Sequence, residues 1–172
     1  MSTTPGTTDN PASACSGGLA RPGTAFVRES NRIERITREP TTAELDEFER
    51  FMRLRVVTVE EMERFVSVYQ PDAVLRDRRG LDVRVGAHVP PRGGPDIRDR
   101  LATLLRGAHR VPDLRQRQSL GYLTHCRYET LHPFTDGNGR SGRMLWAWQM
   151  QAFPLGFLHH FYYQALDGSQ AR

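Results

Sequence analysis

Apolar residues recur every three or four positions along most of the chain, a spacing typical of amphipathic helices. The spacing predicts a mostly α domain of about six helices. The apolar positions that follow it are Leu45, Phe48 and Met52; Met62, Phe65, Val66 and Tyr69; Ile97, Leu101, Leu104 and Leu105; Leu120, Leu123 and Leu131; and Leu145, Trp146 and Met150. The segment 155–166 is strongly aromatic and predicts a last helix.

Capping residues mark where two of these helices begin. Thr41 and Thr58 are each followed three positions later by a glutamate, Glu44 and Glu61, which is the capping-box pattern. Pro71 cannot continue a helix and ends the second one. The two helices are predicted to pack against each other as a pair.

The pattern changes between 72 and 91, where apolar and polar residues alternate. Leu81, Val83 and Val85 alternate with Asp82 and Arg84, and an Arg-Gly pair directly before them is a turn signal. Alternation with a period of two is typical of β-strands. The segment therefore predicts a β-hairpin.

The composition indicates one folded domain. The chain has 172 residues, of which 38% are hydrophobic, and this length suits one hydrophobic core better than two. Residues 1–24 are mainly Ser, Thr, Pro, Gly and Ala, so we expect a disordered tail ahead of a domain at 25–172.

Charge and cysteine content narrow the class of protein. The net charge is +4, but the arginines are scattered among acidic residues and form no nucleic-acid-binding motif, so nucleic acid is not an expected partner. All 24 basic residues are Arg, which excludes a P-loop lysine and a Schiff-base lysine; the bias suggests a GC-rich bacterial genome.

Cys15 and Cys126 are the only cysteines, and no apolar run reaches membrane-spanning length. A cytoplasmic protein without membrane contact is expected, with secretion as an effector left open.

The stretch 132–143, between two predicted helices, carries the most chemistry, and its first part combines a base with a metal ligand. His132 can exchange a proton near neutral pH. Asp136 offers a hard oxygen ligand suited to Mg²⁺. Pro133 ends the preceding helix at or just before His132.

The second part of this stretch is suited to phosphates. Gly137, Asn138 and Gly139 open a helix, so unpaired N–H groups and the positive end of the helix dipole face the loop. Arg140 and Arg143 lie three positions apart on neighbouring parts of one helical face. Each guanidinium can hold phosphate oxygens with two parallel hydrogen bonds. The stretch as a whole predicts a triphosphate site beside a proton acceptor.

The same stretch, which we call the signature loop (132–143), resembles the signature of the Fic family. It matches the pattern H-P-F-x-D/E-G-N-G-R-x-x-R at every specified position. The resemblance covers roughly 26–166 and implies a Fic-type helical bundle with a small β-hairpin flap beside the active-site loop. It also implies a protein adenylyltransferase, which transfers AMP from ATP to a Ser, Thr or Tyr hydroxyl of a target protein and releases pyrophosphate.

The resemblance assigns roles within the signature loop. His132 would take the proton of the target hydroxyl, and Asp136 would hold Mg²⁺ on the α- and β-phosphates. The amides of 137–139 and the Asn138 side chain would hold developing charge at the phosphate oxygens. Arg140 would grip the β-phosphate and Arg143 the γ-phosphate. Phe134 is expected to be a buried anchor of the loop.

Two further segments resemble parts of the family. The segment 81–91 is similar to the flap that holds the target protein as an added strand, with Val83, Arg84, Val85 and Gly86 as docking residues; we call it the flap segment (81–91).

The predicted helix at about 26–37 contains a match to the inhibitory motif S/T-x-x-x-E-G/N. By this resemblance Ser30 begins the motif, and Glu34 would pair with Arg143 and block productive placement of the γ-phosphate. Arg35 stands where the family has Gly or Asn, so the match is partial.

Other functions stay open at this point. The same site could transfer UMP, GMP or phosphocholine, or remove AMP from a labelled target with Glu34 positioning water. A non-catalytic Fic-like binding module and a homodimer also remain alternatives. His159 and His160 are adjacent, but no third ligand accompanies them, so a metal site there is not expected.

Overall fold

The computed structural model describes residues 21–109 and 113–153, and the described part is mostly helical, as predicted. Its six helices are α1 (Thr24–Ile33), α2 (Thr42–Arg53), α3 (Val59–Tyr69), α4 (Asp96–Gly107), α5 (Leu114–Leu131) and α6 (Asn138–Met150). None of the helices within these ranges is long and apolar enough to cross a membrane.

The core is built around α6. Every residue of α6 except Gly139 is buried, and the helix packs against α1, α2, α3 and α5. Large apolar side chains fill the space around it, including Phe51, Met62, Phe65, Leu101, Tyr128, Trp146 and Trp148. The start of α6, which carries the second half of the signature loop, is therefore held by the centre of the domain.

The capping boxes are formed to different degrees. At α2 the Glu44 amide donates to the Thr41 hydroxyl at 3.2 Å, and the Thr41 amide donates to the Glu44 carboxylate at 2.7 Å. At α3 the Glu61 amide donates to Thr58 at 3.4 Å, while the Glu61 carboxylate pairs with Arg50 at 2.6 Å. The second box is thus only half formed, because its glutamate is used in an ion pair between α2 and α3.

The buried face of α5 is not the one marked by its leucines. Leu120 and Leu123 are 37% and 43% exposed, whereas His125 and Tyr128 are buried. The face that packs on α6 includes Gly121, where a Cβ would lie 3.3 Å from atoms of Trp146 and Met150. The two helices approach closely at Gly121. His125 and Tyr128 therefore face α6, and Leu120 and Leu123 remain at the surface.

The predicted β-hairpin is wrong, since the described residues contain no strand longer than an isolated bridge. The flap segment instead makes a tight turn in which the amides of Val85 and His88 each donate to the other residue's carbonyl at 3.0 Å. Val85 and Val89 are 43% and 69% exposed, so little burial supports a longer ladder. Pro90 and Pro91 follow immediately and have no N–H to extend it.

Several sequence predictions lie outside the described residues. These are most of the tail at 1–24, including Cys15, the helix at 155–166 and the His159-His160 pair. Within the described ranges Cys126 is a free thiol.

Candidate active site

The signature loop joins the end of α5 to the start of α6. His132 follows the last residue of α5 with a φ of 47°, in the left-handed region that non-glycine residues seldom adopt. Its amide still donates to the Tyr128 carbonyl at 2.8 Å, and Pro133 prevents the helix from continuing. Gly137, with a φ of 75°, then turns the chain into α6. The histidine is therefore fixed where one helix stops and the next begins.

The loop is closed by its own asparagine. The Asn138 side chain accepts from the Phe134 amide at 2.9 Å and donates to the Phe134 carbonyl at 2.8 Å. Phe134 is buried, as expected. Thr135 adds a link to the chain before α4, because its amide donates to the Val74 carbonyl at 3.0 Å. In this arrangement the Asn138 amide shapes the loop, and both of its bonds point to Phe134 and not to a phosphate position.

His132 lies in an environment that keeps its imidazole neutral. Burial, together with the charges of the nearby Arg76 and His88 side chains, lowers its pKa to about 4. A hydrogen bond to the Glu129 backbone and the charge of Asp136 act in the opposite direction but do not outweigh these causes. At neutral pH the ring therefore has a free nitrogen lone pair and can accept a proton.

The start of α6 is open to an anion. Gly137 has no side chain to cap the helix, no side-chain cap bond is formed, and the first turn has no acidic residue. Gly139 lets a carboxylate approach closely, since a Cβ there would clash with Glu34 Oε1. Asp136 is exposed beside this opening, and one of its oxygens accepts from the Gly137 amide at 2.6 Å. The start of α6 thus has no side-chain cap, and the nearest anion to its first turn is the Glu34 carboxylate, at the place where oxygen atoms of a ligand could bind.

Arg143 is bound by α1 through both residues of the inhibitory motif. Its Nη2 donates to the Glu34 carboxylate at 2.6 Å and to the Ser30 carbonyl at 3.0 Å. Its Nε donates to the Ser30 hydroxyl at 2.9 Å. Arg143 is buried, while the Glu34 side chain is 38% exposed. The structure therefore places Glu34 on the guanidinium predicted to grip the γ-phosphate.

Arg35, which departs from the motif, has an unusual backbone conformation just after the end of α1. The helix ends at Ile33, and Arg35 has a φ of 63°. Position 35 thus occupies the left-handed conformation that commonly follows a helix end and that Gly or Asn adopts most readily. Arg35 therefore adopts this conformation at an energetic cost that Gly or Asn would largely avoid.

Arg140 is used differently from Arg143. Its Nη1 donates to the Tyr69 carbonyl at 2.7 Å and its Nη2 to the Gln70 side-chain oxygen at 2.6 Å. Its Nε is buried and has no hydrogen-bond partner among the described residues. Arg140 therefore joins the start of α6 to the end of α3, and these two bonds use two of the five N–H donors of its guanidinium.

The flap segment lies beside the end of α5. The His88 ring is 3.1 Å from the Thr130 carbonyl, and Arg84 Nε donates to the Gly86 carbonyl at 3.1 Å. The predicted docking residues Val83, Arg84, Val85 and Gly86 therefore belong to a turn next to His132, without the strand edge expected from the sequence.

Two residues near the loop were not found from the sequence. Arg76 is fully buried and donates to the His132 carbonyl at 2.7 Å. Glu129 is three residues before His132, and burial raises the pKa of its carboxyl to about 7. The spacing of Glu129 from His132 offered a weak signal, whereas Arg76 lies 56 positions from His132 and gave none.

The carboxylate of Asp136 is suited to a metal ion that is also bound by phosphate oxygens of a ligand. Among the described residues, no three His, Cys, Asp or Glu side chains lie together as a metal site. Mg²⁺ in nucleotide sites is commonly held by one or two carboxylates, with phosphate oxygens and water completing the shell. The exposed Asp136, next to the open start of α6, is suited to such a role.

Comparison with known families agrees with this geometry. The Fic/DOC family model matches residues 64–150, about half of the chain. The match includes Arg76, the flap segment and the whole signature loop. It begins after α1 and α2, so Ser30 and Glu34 lie outside it.

Proposed function

Because the chain belongs to the Fic/DOC family, we propose that it is a protein adenylyltransferase that moves AMP from ATP to a hydroxyl of a target protein. The observation that carries this proposal is the juxtaposition of a neutral His132 with the open start of α6 and Arg143. A base, an amide-lined anion site and a phosphate-binding guanidinium are what such a transfer needs.

The reaction begins at the target hydroxyl. His132 accepts its proton as the hydroxyl oxygen attacks the α-phosphorus of ATP. A bond forms between that oxygen and the phosphorus, and the bond from the phosphorus to the oxygen bridging the α- and β-phosphates breaks. The electrons of the broken bond leave with pyrophosphate. The products are the target carrying AMP, pyrophosphate and the proton on His132.

The start of α6 holds the triphosphate. Amides of its first turn donate to phosphate oxygens, where charge develops during transfer. Asp136 would hold Mg²⁺, which would supply positive charge that neutralises the phosphates. Arg143 binds the γ-phosphate. Arg140, tied to Tyr69 and Gln70, contributes its positive charge next to this site and keeps the helix start in place.

Glu34 restrains the site. Its carboxylate and a γ-phosphate are both anions that bind the Arg143 guanidinium, so one excludes the other. Glu34 Oε1 also lies close to Gly139 in the first turn of α6, where a phosphate oxygen would approach. ATP therefore binds productively only when the end of α1 moves away.

The target protein docks along the flap segment. The exposed Val85 and Val89 offer apolar contacts, and the turn lies beside His132. A chain laid along it would bring a hydroxyl to the base.

Intact-mass spectrometry tests the proposal. The purified protein is incubated with Mg²⁺ and ATP, and unaltered protein, Glu34→Gly and His132→Ala are compared. We expect Glu34→Gly to gain the mass of AMP and His132→Ala to gain none. Parallel incubations with UTP and GTP identify the base that the site prefers. A mass gain with UTP or GTP but not ATP would contradict the adenylyl assignment, and labelling of His132→Ala would contradict the role of the base.

A further inference from the structure

Arg76 is a buried cation whose guanidinium donates hydrogen bonds to four backbone carbonyls. It lies between α3 and α4, and its side chain is fully buried. Nε donates to the His132 carbonyl at 2.7 Å and Nη2 to the Leu131 carbonyl at 3.0 Å. Nη1 donates to the carbonyls of Pro91 at 2.9 Å and Leu81 at 3.3 Å. All three nitrogens of the guanidinium are thus hydrogen-bonded.

Two of these bonds complete the end of α5. The last carbonyls of a helix have no partner within it, and the last turn of α5 has no basic residue of its own. Arg76 supplies both donors and a positive charge at the negative end of the helix dipole. The hydrogen bond from Nε goes to the carbonyl of His132, the residue with the left-handed backbone.

The other two bonds fix the guanidinium from the opposite side. Leu81 and Pro91 are the first and last residues of the flap segment. The Arg76 backbone is held as well, because its amide donates to the Pro133 carbonyl at 2.8 Å and its carbonyl accepts from the Gly94 amide at 2.9 Å. The guanidinium of Arg76 is therefore held in place independently of His132 and restrains the position of the His132 carbonyl.

We propose that Arg76 is a positioning residue for His132: its buried fork fixes the backbone of His132 and thereby aims the imidazole at the reacting hydroxyl. The proposal rests on the proposed function for its catalytic consequence, but not for the contact itself. Lysine could not replace it, since an ammonium group cannot place planar donors in the directions of all four carbonyls.

The charges around His132 agree with this placement. Arg76 and His88 lower the pKa of the imidazole, while Asp136 and a hydrogen bond to the Glu129 backbone raise it. Loss of the positive charge at position 76 should therefore raise the pKa of His132.

The first test uses the unaltered protein without nucleotide. Nitrogen-detected NMR measures the exchange of the Nε proton of each arginine with water. We expect the Arg76 proton to exchange at least tenfold more slowly than that of Arg98, whose guanidinium bonds exposed and half-exposed carboxylates. Equal exchange rates would overturn the proposal, whatever the protein catalyses.

The second test compares Arg76→Lys with Arg98→Lys, both in the Glu34→Gly background. Arg98→Lys is the matched control. It disturbs the ion pairs of Arg98 with Glu60, Glu63 and Asp77, none of which belongs to the signature loop. We expect Arg76→Lys to lower kcat by about tenfold to a hundredfold, as for a small misplacement of a reacting group, with the KM for ATP unchanged. Arg98→Lys should leave both unchanged.

A third readout separates failure of the proposal from failure of the proposed function. The imidazole carbon shifts of His132 are followed against pH in the unaltered protein, Arg76→Gln and Arg98→Lys. We expect a raised pKa for His132 in Arg76→Gln alone. A folded Arg76→Gln and Arg76→Lys with unchanged His132 shifts and unchanged kcat would show a purely structural residue. If neither variant folds, the proton exchange of the first test decides.

Discussion

The signature loop is held from two sides, and the contacts on the two sides differ in kind. On the α1 side, Arg143 binds a partly exposed carboxylate, Glu34, which an anionic ligand can replace. On the flap side, the buried Arg76 binds four backbone carbonyls, which no ligand can replace without opening the fold. If the site works as proposed, access to it would be controlled from α1, while the geometry of His132 would be set from the flap side.

The largest effect is expected on the flap side, at His132. His132→Ala, in the Glu34→Gly background, should reduce AMP transfer by about 10²- to 10⁴-fold, because a positioned base contributes that much. ATP binding should change little, since the anion site and Arg143 are untouched. Transfer is measured by intact mass over time and binding by titration calorimetry. A loss of ATP binding equal to the loss of transfer would place His132 in substrate binding instead.

A smaller effect, of opposite sign, is expected on the α1 side. Glu34→Gln keeps the shape of the side chain but removes the charge that holds Arg143, so transfer at subsaturating ATP should rise by roughly tenfold, as expected for losing one charge-assisted hydrogen bond at a partly exposed site. The control is Glu39→Gln, which removes the ion pair to Arg28 on the same helix and does not reach Arg143. Equal rates for the two variants would mean that the Glu34 contact does not restrain ATP.

The buried groups near the loop predict how stability depends on pH. The pKa values of His125 and His132 are lowered to about 4 from an ordinary 6.5, mainly by burial. Between these values the unfolded chain binds protons that the folded one does not, so the free energy of unfolding should fall as the pH falls from 6.5 towards 4. Glu129 opposes this, because burial raises its pKa to about 7 from 4.5 and its contribution is lost as the pH rises through 7.

Urea unfolding between pH 4.5 and 7 measures this balance. Glu129→Gln removes the opposing group, so the acid loss of stability should be steeper in this variant than in the unaltered protein. An unfolding free energy that stays flat with pH in Glu129→Gln would show that the two histidines are not buried as neutral groups.

The smallest effect is expected at the end of α1. Arg35→Gly relieves a left-handed backbone that costs a residue with a side chain about 1 kcal/mol, so α1 should dock more firmly and transfer should fall by a few-fold. Thermal unfolding and the rate of transfer are measured together. Arg32→Gly, inside the helix, is the control and should act in the opposite direction. An unchanged melting temperature in Arg35→Gly would argue that the conformation costs nothing there.

Local patterns predicted the helices and the loop because their determinants are close in sequence. The spacing of Met62, Phe65, Val66 and Tyr69 places all four in the core, as expected. The end of α5 before Pro133 likewise follows from local chemistry. The hairpin failed because alternation over a few exposed residues does not ensure a ladder when two prolines follow and little surface is buried.

Contacts between distant segments could not be predicted in the same way. Arg140 donates to Tyr69 and Gln70 from 71 and 70 positions away. Nothing in a sequence pattern that predicts phosphate binding indicates a bond to the end of α3. Arg76 similarly reaches His132 only through the packing of the segment between α3 and α4 on α5. Which polar groups are buried depends on which helix faces pack together. At Gly121 the absence of a side chain allows α5 to pack closely on α6.

The pairing of Glu34 with Arg143 within one chain has a consequence for how the protein responds to its surroundings. A tethered carboxylate competes at a fixed effective concentration, which neither dilution nor synthesis of more protein changes. The nucleotide is the competitor whose concentration varies. If the pair restrains transfer as proposed, the tethered carboxylate lowers the apparent affinity of the site for ATP by a constant factor. Transfer then rises gradually with the ATP concentration, and a partner that binds α1 and displaces Glu34 would raise it at a given ATP concentration.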